Sequence, residues 1–208
     1  MYKIALTGPI GAGKGYVCAL LGNICSQRGI NLQSVDTDKI VHELYRTDSA
    51  LTSALAEAFG ADMVTSDGTI DREKLMTVVM NDSEKLQLLN SIVHARVVEQ
   101  CVSWLESQRS NKADIALVEI PLLAESGASY LFDSVITVAA DREVRLNRAI
   151  ARGLPAWKVE LVMSRQLSDE AYAELADHII RNGESDDLAL QLSALLHKII
   201  EIPGAAIE

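Results

Sequence analysis

The sequence lacks the features typical of membrane, secreted and nucleic-acid-binding proteins. None of its apolar runs approaches the ~20 residues that a membrane-spanning helix requires. It has 19 Lys and Arg against 29 Asp and Glu, and the resulting net charge of −10 disfavours nucleic acid as a partner. The chain enters a strand-like segment at once, so we expect no signal peptide. These absences favour a cytoplasmic protein, and we expect a monomer.

Cysteine is also scarce. The three cysteines, Cys18, Cys25 and Cys101, have neither the spacing of a disulfide framework nor that of a zinc site. We expect Cys18 and Cys25 to be small core residues of the first helix, in a reducing compartment. Hydrophobic residues, by contrast, make up 49% of the 208 residues, which is enough for one packed core with a small insertion or lid.

A glycine-rich loop follows a short apolar segment and precedes a stretch with helical spacing. Within this loop, Gly8, Gly13 and Lys14 match G-x-x-x-x-G-K, the core of the P-loop. Such glycines let backbone N–H groups point at phosphate oxygens, the helix start adds its positive end, and Lys14 adds a cation. Ser or Thr usually comes next and binds Mg²⁺ through its hydroxyl, but here Gly15 and Tyr16 follow. The alternative is a chance glycine-rich turn, and the flanking strand and helix favour a nucleotide site.

Two carboxylates mark the end of the second predicted strand, residues 31–38. Asp36 and Asp38 are two residues apart, so in a strand they share one face. The carboxyl ends of strands border the ligand crevice in open α/β sheets, and we therefore expect Asp36 to be functional. Alternatively, these residues only cap the helix that begins near Lys39, and we expect Asp38 to do some of this capping.

The remaining patterns predict alternating helices and apolar strands. Helices are expected at 40–59, after a cap at Asp71, at 82–109 and at 186–200, and strands at 115–120, 133–138 and 178–182. This order predicts an α/β fold with a doubly wound parallel sheet of about five strands. His94 lies in the long helix, where a lone histidine is more often structural than ligand-binding. Leu122 and Glu125 follow the strand predicted at 115–120, at the carboxyl end that borders the ligand crevice.

Residues 142–165 reverse the acidic balance of the chain, with six basic residues against two acidic ones. Arg145, Arg148 and Arg152 recur at helical spacing and share one face. Gly153 and Pro155 then break the helix, as the hinge of a mobile lid requires. We interpret the segment as a lid whose arginines close over polyphosphate; the alternative is a solvated helix face.

Together these segments resemble the dephospho-coenzyme A kinases nearly from end to end. The order of the motifs is more specific than the P-loop alone. The similar segments are residues 6–14, 35–42 (with its D-x-D), 59–72, 92–94, 120–125, 132–136 and 176–182.

The resemblance implies three parts and one reaction. The parts are a P-loop core (residues 1–60, 111–141 and 166–208), a helical insertion that binds coenzyme A (61–110) and a lid (142–165). The reaction is transfer of the γ-phosphoryl group of ATP to the 3′-hydroxyl of dephospho-coenzyme A. Mg²⁺ would be held mainly through ATP and waters, and no protein side chain is assigned as its ligand.

Site residues follow from the resemblance position by position. Asp36 would be the base near the acceptor hydroxyl, and Lys14 would act with it in catalysis. The residues that would bind ATP are Gly11, Ala12, Gly13, Lys14, Gly15, Tyr16, Arg148 and Asn182. Those that would bind the acceptor are Asp36, Asp38, His94, Leu122 and Glu125.

The chain also departs from the family pattern. Gly15 and Tyr16 replace Ser or Thr, Ala95 replaces proline, and Tyr172 and Ala173 stand where basic residues are usual. Adenylate kinases also carry glycine after the P-loop lysine, so a nucleoside monophosphate kinase is one alternative. A degenerate P-loop protein that binds nucleotide without turnover is the other.

Overall fold

The computed structural model describes residues 1–80 and 82–200. Its centre is a five-stranded parallel sheet, which confirms the predicted α/β class. The strands are β1 (Tyr2–Thr7), β2 (Leu32–Asp36), β3 (Ile115–Glu119), β4 (Ser134–Ala139) and β5 (His178–Arg181). They lie in the order β2-β3-β1-β4-β5, with β1 in the middle. Leu6 of β1 is in register with Glu119 of β3 and Ile136 of β4, so the carboxyl ends of these three strands form one edge.

Ten α-helices lie between and after the strands in the described part of the chain. They are α1 (Lys14–Gln27), α2 (Thr37–Thr47), α3 (Ser49–Phe59), α4 (Arg72–Val79), α5 (Ser83–Ser110), α6 (Leu123–Ser126), α7 (Arg142–Ala151), α8 (Ala156–Arg165), α9 (Asp169–Leu175) and α10 (Leu188–Ile200). Within residues 1–80 and 82–200, no helix is both long and apolar enough to cross a membrane.

The sheet is buried on both faces, which explains why its central strands read as continuous apolar runs. Ile4 and Leu6 of β1 and Leu117 of β3 are completely buried, and α1 and α10 contribute to the same core. Cys25 belongs to this core and Cys18 packs against it, as predicted. Burial raises the pKa of the Cys25 thiol to about 11, so this cysteine is a core residue rather than a reactive one.

The chain forms two compact units. One comprises residues 1–35 together with the chain from Leu105 onward, and the other comprises Asp36–Trp104. The second unit has its own apolar cluster, which includes Leu51, Leu55 and Met63. The division into core, insertion (61–110) and lid (142–165) stays a prediction, and residues 81 and 201–208 of those segments lie outside the described residues.

The prediction of a single helix over residues 40–59 is wrong, because the chain forms two helices there, α2 and α3, which are separated by Asp48. Asp48 has extended backbone angles, and its side chain accepts a hydrogen bond of 2.9 Å from Leu51 N, which caps α3. The apolar spacing hid this break, since Leu44 and Leu51 on either side are both buried. The predicted cap at Asp71 is confirmed by its bond from Lys74 N.

Asp48 also pairs with Arg96 of α5, whose Nε lies 3.0 Å from Asp48 Oδ2. The hydrogen bond from Arg96 holds the pKa of Asp48 below its ordinary value of 3.8. A carboxyl whose pKa is lowered by folding stabilises the protein above its unfolded pKa, and this contribution is lost as pH falls through the folded value.

We therefore expect Asp48→Asn to lower the free energy of unfolding at pH 7 by up to about 1 kcal/mol, because asparagine keeps the cap but loses the charge. Urea titrations at pH 7 and at pH 3 or below measure the free energy of unfolding of the variant and of wild type. The difference between the two should shrink as the pH falls. Asp62→Asn is the control and should have a smaller effect, since Asp62 is 63% exposed in its pair with Lys74. A difference that is independent of pH would contradict the assignment.

Candidate functional site

The glycine-rich loop joins β1 to α1 at the carboxyl edge of the sheet and is tightly surrounded. Gly8, Gly11 and Gly13 have φ values of 137°, 77° and 94°, which favour glycine. A Cβ at these positions would lie 2.4 Å from Val138 O, 2.2 Å from Arg145 O and 2.2 Å from Asn182 Nδ2, respectively. The loop thus requires glycine both for its backbone angles and for its close contacts with neighbouring elements.

Lys14 is the first residue of α1, and its side chain folds back over the loop. Its Nζ donates to Gly8 O at 2.9 Å and to Pro9 O at 3.4 Å. Tyr16 is 60% exposed, which fits a ring that points outward rather than into the loop. A Cβ at Gly15 would meet nothing closer than Glu119 Oε2, at 4.0 Å, so this glycine is not required by its surroundings.

Glu119 is a candidate residue that the sequence reasoning missed. It is the last residue of β3, and its carboxylate lies beside Gly15 at the start of α1. Like Asp36, Glu119 is a carboxylate at the end of a strand, although its own strand is apolar and mostly buried. A carboxylate at this place suits Mg²⁺, which takes one or two carboxylates together with phosphate oxygens and waters. The donor set therefore fits the metal even without a hydroxyl at position 15.

Arg148 and Asn182 lie together beside the loop. Arg148 Nη1 donates to Asn182 O at 2.8 Å, and Asn182 Nδ2 donates to Ala12 O at 2.7 Å. Arg145 is only 6% exposed and pairs with Asp169 at 2.9 Å. The solvated-face alternative is therefore wrong for Arg145, while Arg152 at the end of α7 is exposed.

Gln166 is a second residue that the sequence reasoning missed. Its Oε1 accepts a hydrogen bond of 2.9 Å from Ile10 N in the glycine-rich loop. The two residues are 156 positions apart, and no local pattern marks the glutamine.

A cavity of about 450 Å³ lies at the carboxyl ends of β4 and β5. Its lining includes Asp141, Val144, Arg181 and Gly183. Arg181 and Gly183 flank Asn182 in the sequence, and Asn182 contacts the glycine-rich loop. The volume of the cavity is in the range of small-molecule sites.

Asp36 begins the second unit, and it caps α2. Its Oδ1 accepts a hydrogen bond of 2.9 Å from Asp38 N. The expectation that Asp38 shares in the capping is wrong, because β2 ends at Asp36 and α2 already begins at Thr37. Asp38 is exposed in the first turn of α2, and it lines a groove of about 320 Å³ together with Lys39, His42, Glu43 and Arg72.

The other predicted acceptor residues fall into both units. His94 is half-buried in α5, within the second unit. Leu122 and Glu125 are exposed around the short helix α6, after β3 in the first unit. The structure thus brings Lys14, Arg148 and Asn182 to one loop, while the roles of all these residues stay predictions.

The comparisons with known proteins identify the family. A family model described as dephospho-CoA kinase matches residues 2–187. A Corynebacterium glutamicum protein named dephospho-CoA kinase is 33% identical over 202 residues, with 96% of this chain and 98% of the relative covered. The chain belongs to the dephospho-CoA kinase family.

Solved structures agree with the fold. A Thermus thermophilus crystal structure is 29% identical and has a TM-score of 0.74, covering 95% of this chain and 97% of its own. A dephospho-CoA kinase from Campylobacter jejuni, at 24% identity and a TM-score of 0.64, covers 95% of this chain and 96% of its own and shares the fold. Membership of this family makes the protein an ATP-dependent kinase, and it disfavours the nucleoside monophosphate kinase alternative.

One departure from the family pattern has a structural explanation. Tyr172 is 4% exposed, and burial, with Glu125 nearby, raises the pKa of its hydroxyl to about 12. The side chain is therefore a neutral part of the core in this dephospho-CoA kinase. It is not a surface position at which a basic residue has been lost.

We expect Gly13→Ala to destabilise the protein by about 1–3 kcal/mol and to weaken nucleotide binding, because the methyl group requires an unfavourable φ and meets Asn182 Nδ2. The matched control is Gly15→Ala, which has room for its methyl group. Thermal unfolding and equilibrium ADP binding measure both effects. If the two variants had equal unfolding temperatures and equal ADP affinities, the close contact with Asn182 would not constrain the loop.

Proposed function

We propose that this dephospho-CoA kinase transfers the γ-phosphoryl group of ATP to the 3′-hydroxyl of dephospho-coenzyme A, the last step of coenzyme A synthesis. The observation that carries the proposal is the phosphate loop. It combines three required glycines with Lys14 at the start of a helix, in a chain whose family match extends over residues 2–187. Phosphoryl transfer depends mainly on positioning and on neutralising charge, which such a loop provides.

The ATP phosphates would lie in the loop formed by residues Gly11 to Tyr16. The backbone N–H groups at the start of α1 would face these phosphates. Lys14 Nζ, which donates to Gly8 O and Pro9 O, would turn to the outer phosphates. Arg148, bonded beside the loop, would neutralise charge that develops in the transition state. The adenosine moiety would occupy the cavity next to Asn182.

Mg²⁺ would be held by ATP oxygens, waters and the Glu119 carboxylate. When bound, the ion would neutralise charge on the phosphates. The missing hydroxyl at Gly15 removes one protein ligand, and water can replace it because Mg²⁺ usually keeps several waters. This arrangement supports a working kinase rather than a degenerate one.

The acceptor would bind mainly through the second unit. Asp36 would take the proton of the 3′-hydroxyl, and its hydrogen bond from Asp38 N holds the carboxylate in one orientation. The groove beside Asp38 contains Lys39 and Arg72, whose positive charges suit the pyrophosphate of dephospho-coenzyme A. His94, Leu122 and Glu125 would border the acceptor.

We also propose that the protein acts as a monomer in the cytoplasm. Both proposed substrates are soluble small molecules, and a thiol buried in the core, such as that of Cys25, is compatible with a reducing compartment.

The experiment is a measurement of ATP consumption with dephospho-coenzyme A, with AMP and with no acceptor. We expect turnover only with dephospho-coenzyme A, dependent on added Mg²⁺ and lost on chelation. Lys14→Ala is the matched control, since lysine in such a loop acts as a point charge and not as part of the core. Turnover with AMP would instead indicate a nucleoside monophosphate kinase, and no turnover at any Mg²⁺ concentration would indicate a degenerate P-loop protein.

We expect Asp36→Asn to lower the rate of the chemical step by ~10²–10⁴-fold while ATP binding changes little. Asparagine caps a helix as well as aspartate does, so the start of α2 is preserved. Single-turnover kinetics and equilibrium ATP binding separate the two effects.

The matched control is Asp82→Asn, because Asp82 accepts a hydrogen bond from Lys85 N at the start of α5 in the same way. It should leave the rate unchanged. If Asp36→Asn weakened ATP binding and left the chemical step unchanged, Asp36 would belong to the metal site and not be the base.

A further inference from the structure

Two side chains from distant parts of the sequence hold the phosphate loop by its backbone. Asn182 Nδ2 donates to Ala12 O at 2.7 Å, and Gln166 Oε1 accepts from Ile10 N at 2.9 Å. Asn182 is already among the predicted ATP-binding residues, whereas no role has been assigned to Gln166.

The backbone of Gln166 is itself fixed. Gln166 directly follows α8, and its N–H donates to Val162 O in the last turn of that helix. Ser168, two residues later, caps α9 by accepting from Ala171 N. The side chain therefore reaches the loop from a short connection that is anchored at both ends.

Within the loop, Ala12 N donates to Pro9 O at 3.2 Å, and contacts with neighbouring elements add further restraint. Gly8, Gly11 and Gly13 have the widest conformational freedom of any residue type. Ile10 lies between the first two, and its N–H points at Gln166 rather than toward the place of a phosphate. Fixing this peptide sets the direction in which the following N–H groups point.

We propose that Gln166 is a positioning residue of the phosphate loop, which holds the Ile10 peptide so that the amides of Gly11, Gly13 and Lys14 converge on the nucleotide phosphates, while Ala12 N donates to Pro9 O within the loop. This inference rests on the proposed binding of ATP by the loop. Because Gln166 immediately follows α8, part of the predicted lid, it also connects the loop with the end of that lid.

The chain offers a matched control in Gln191. Its Oε1 accepts from the backbone N–H of Arg181 at 2.9 Å, which is the same bond at the same length on a strand rather than on the loop. Gln166→Met and Gln191→Met each remove a side-chain amide while keeping the approximate size and shape of the side chain. Gln191→Met also removes the bonds from Gln191 Nε2 to Arg181 O at 2.9 Å and to Asp187 O at 3.4 Å, so it is a demanding control for a general loss of stability. Both variants should lower the temperature of thermal unfolding.

The deciding measurement is equilibrium binding of ADP without acceptor, by titration calorimetry. We expect Gln166→Met to raise the Kd of ADP by about 5- to 10-fold, the effect of one lost hydrogen bond. Gln191→Met should leave this Kd unchanged. In turnover, Gln166→Met should raise the KM for ATP and leave the KM for dephospho-coenzyme A unchanged. Gln166→Asn, one methylene too short to reach Ile10, replaces the methionine variant if that variant does not fold.

The outcomes distinguish the positioning role of Gln166 from the proposed kinase function. A folded Gln166 variant that binds ADP like wild type, even if it unfolds at a lower temperature, overturns the positioning role and leaves the kinase function intact. An equal loss of ADP affinity in Gln191→Met also overturns it, since the effect would then be one of general stability. Wild-type protein that binds no ADP refutes the proposed nucleotide site itself.

Discussion

The phosphate site depends on the tight packing around three glycines, Gly8, Gly11 and Gly13. Backbone or side-chain atoms of neighbouring elements approach each of them closely. β4, α7 and the end of β5 each come within van der Waals distance of the loop, at positions where any side chain would collide. This packing makes the loop a part of the protein interior and not a free surface segment. Lys14 and the first amides of α1 can therefore have fixed positions before any nucleotide binds, and preorganisation of this kind is what electrostatic catalysis requires.

The two compact units divide the proposed chemistry between them. The loop, Glu119, Arg148 and Asn182 belong to the unit built on the sheet, while Asp36, Asp38 and His94 belong to the other. Asp36 is both the last residue of β2 and the first residue of the second unit. In the sequence, the proposed base therefore lies where the unit proposed to bind ATP gives way to the unit proposed to bind most of the acceptor.

Much of the fold could be predicted from the sequence because its signals are local. Strands buried on both faces appear as apolar runs, and the loop glycines are specified by backbone angles that other residues rarely adopt. The prediction failed where a polar side chain overrides an apolar pattern. Asp48 ends one helix and starts another, although the buried leucines continue at helical spacing on both sides. Asp36 in the same way ends β2 earlier than the composition suggested.

The site was predictable only as far as its residues carry a local signature. The loop and Lys14 do, and Asn182 ends one of the segments that resemble the family. Gln166, by contrast, owes its contact to elements that meet only in three dimensions. The burial of Arg145 could not be predicted either. Its helical spacing is the same whether the face is solvated or, as here, packed against the loop and paired with Asp169.

Gly15 is less constrained by its surroundings than the three loop glycines before it. Gly8, Gly11 and Gly13 are confined by their surroundings, so exchange at any of them demands compensating changes elsewhere. Position 15 has ordinary helical space around it, with the nearest atom of a neighbouring residue 4.0 Å from a hypothetical Cβ. A lineage can therefore gain or lose a hydroxyl there in one step without altering the backbone. The metal requirement of the enzyme can in this way drift among relatives while the architecture of its nucleotide site is inherited unchanged.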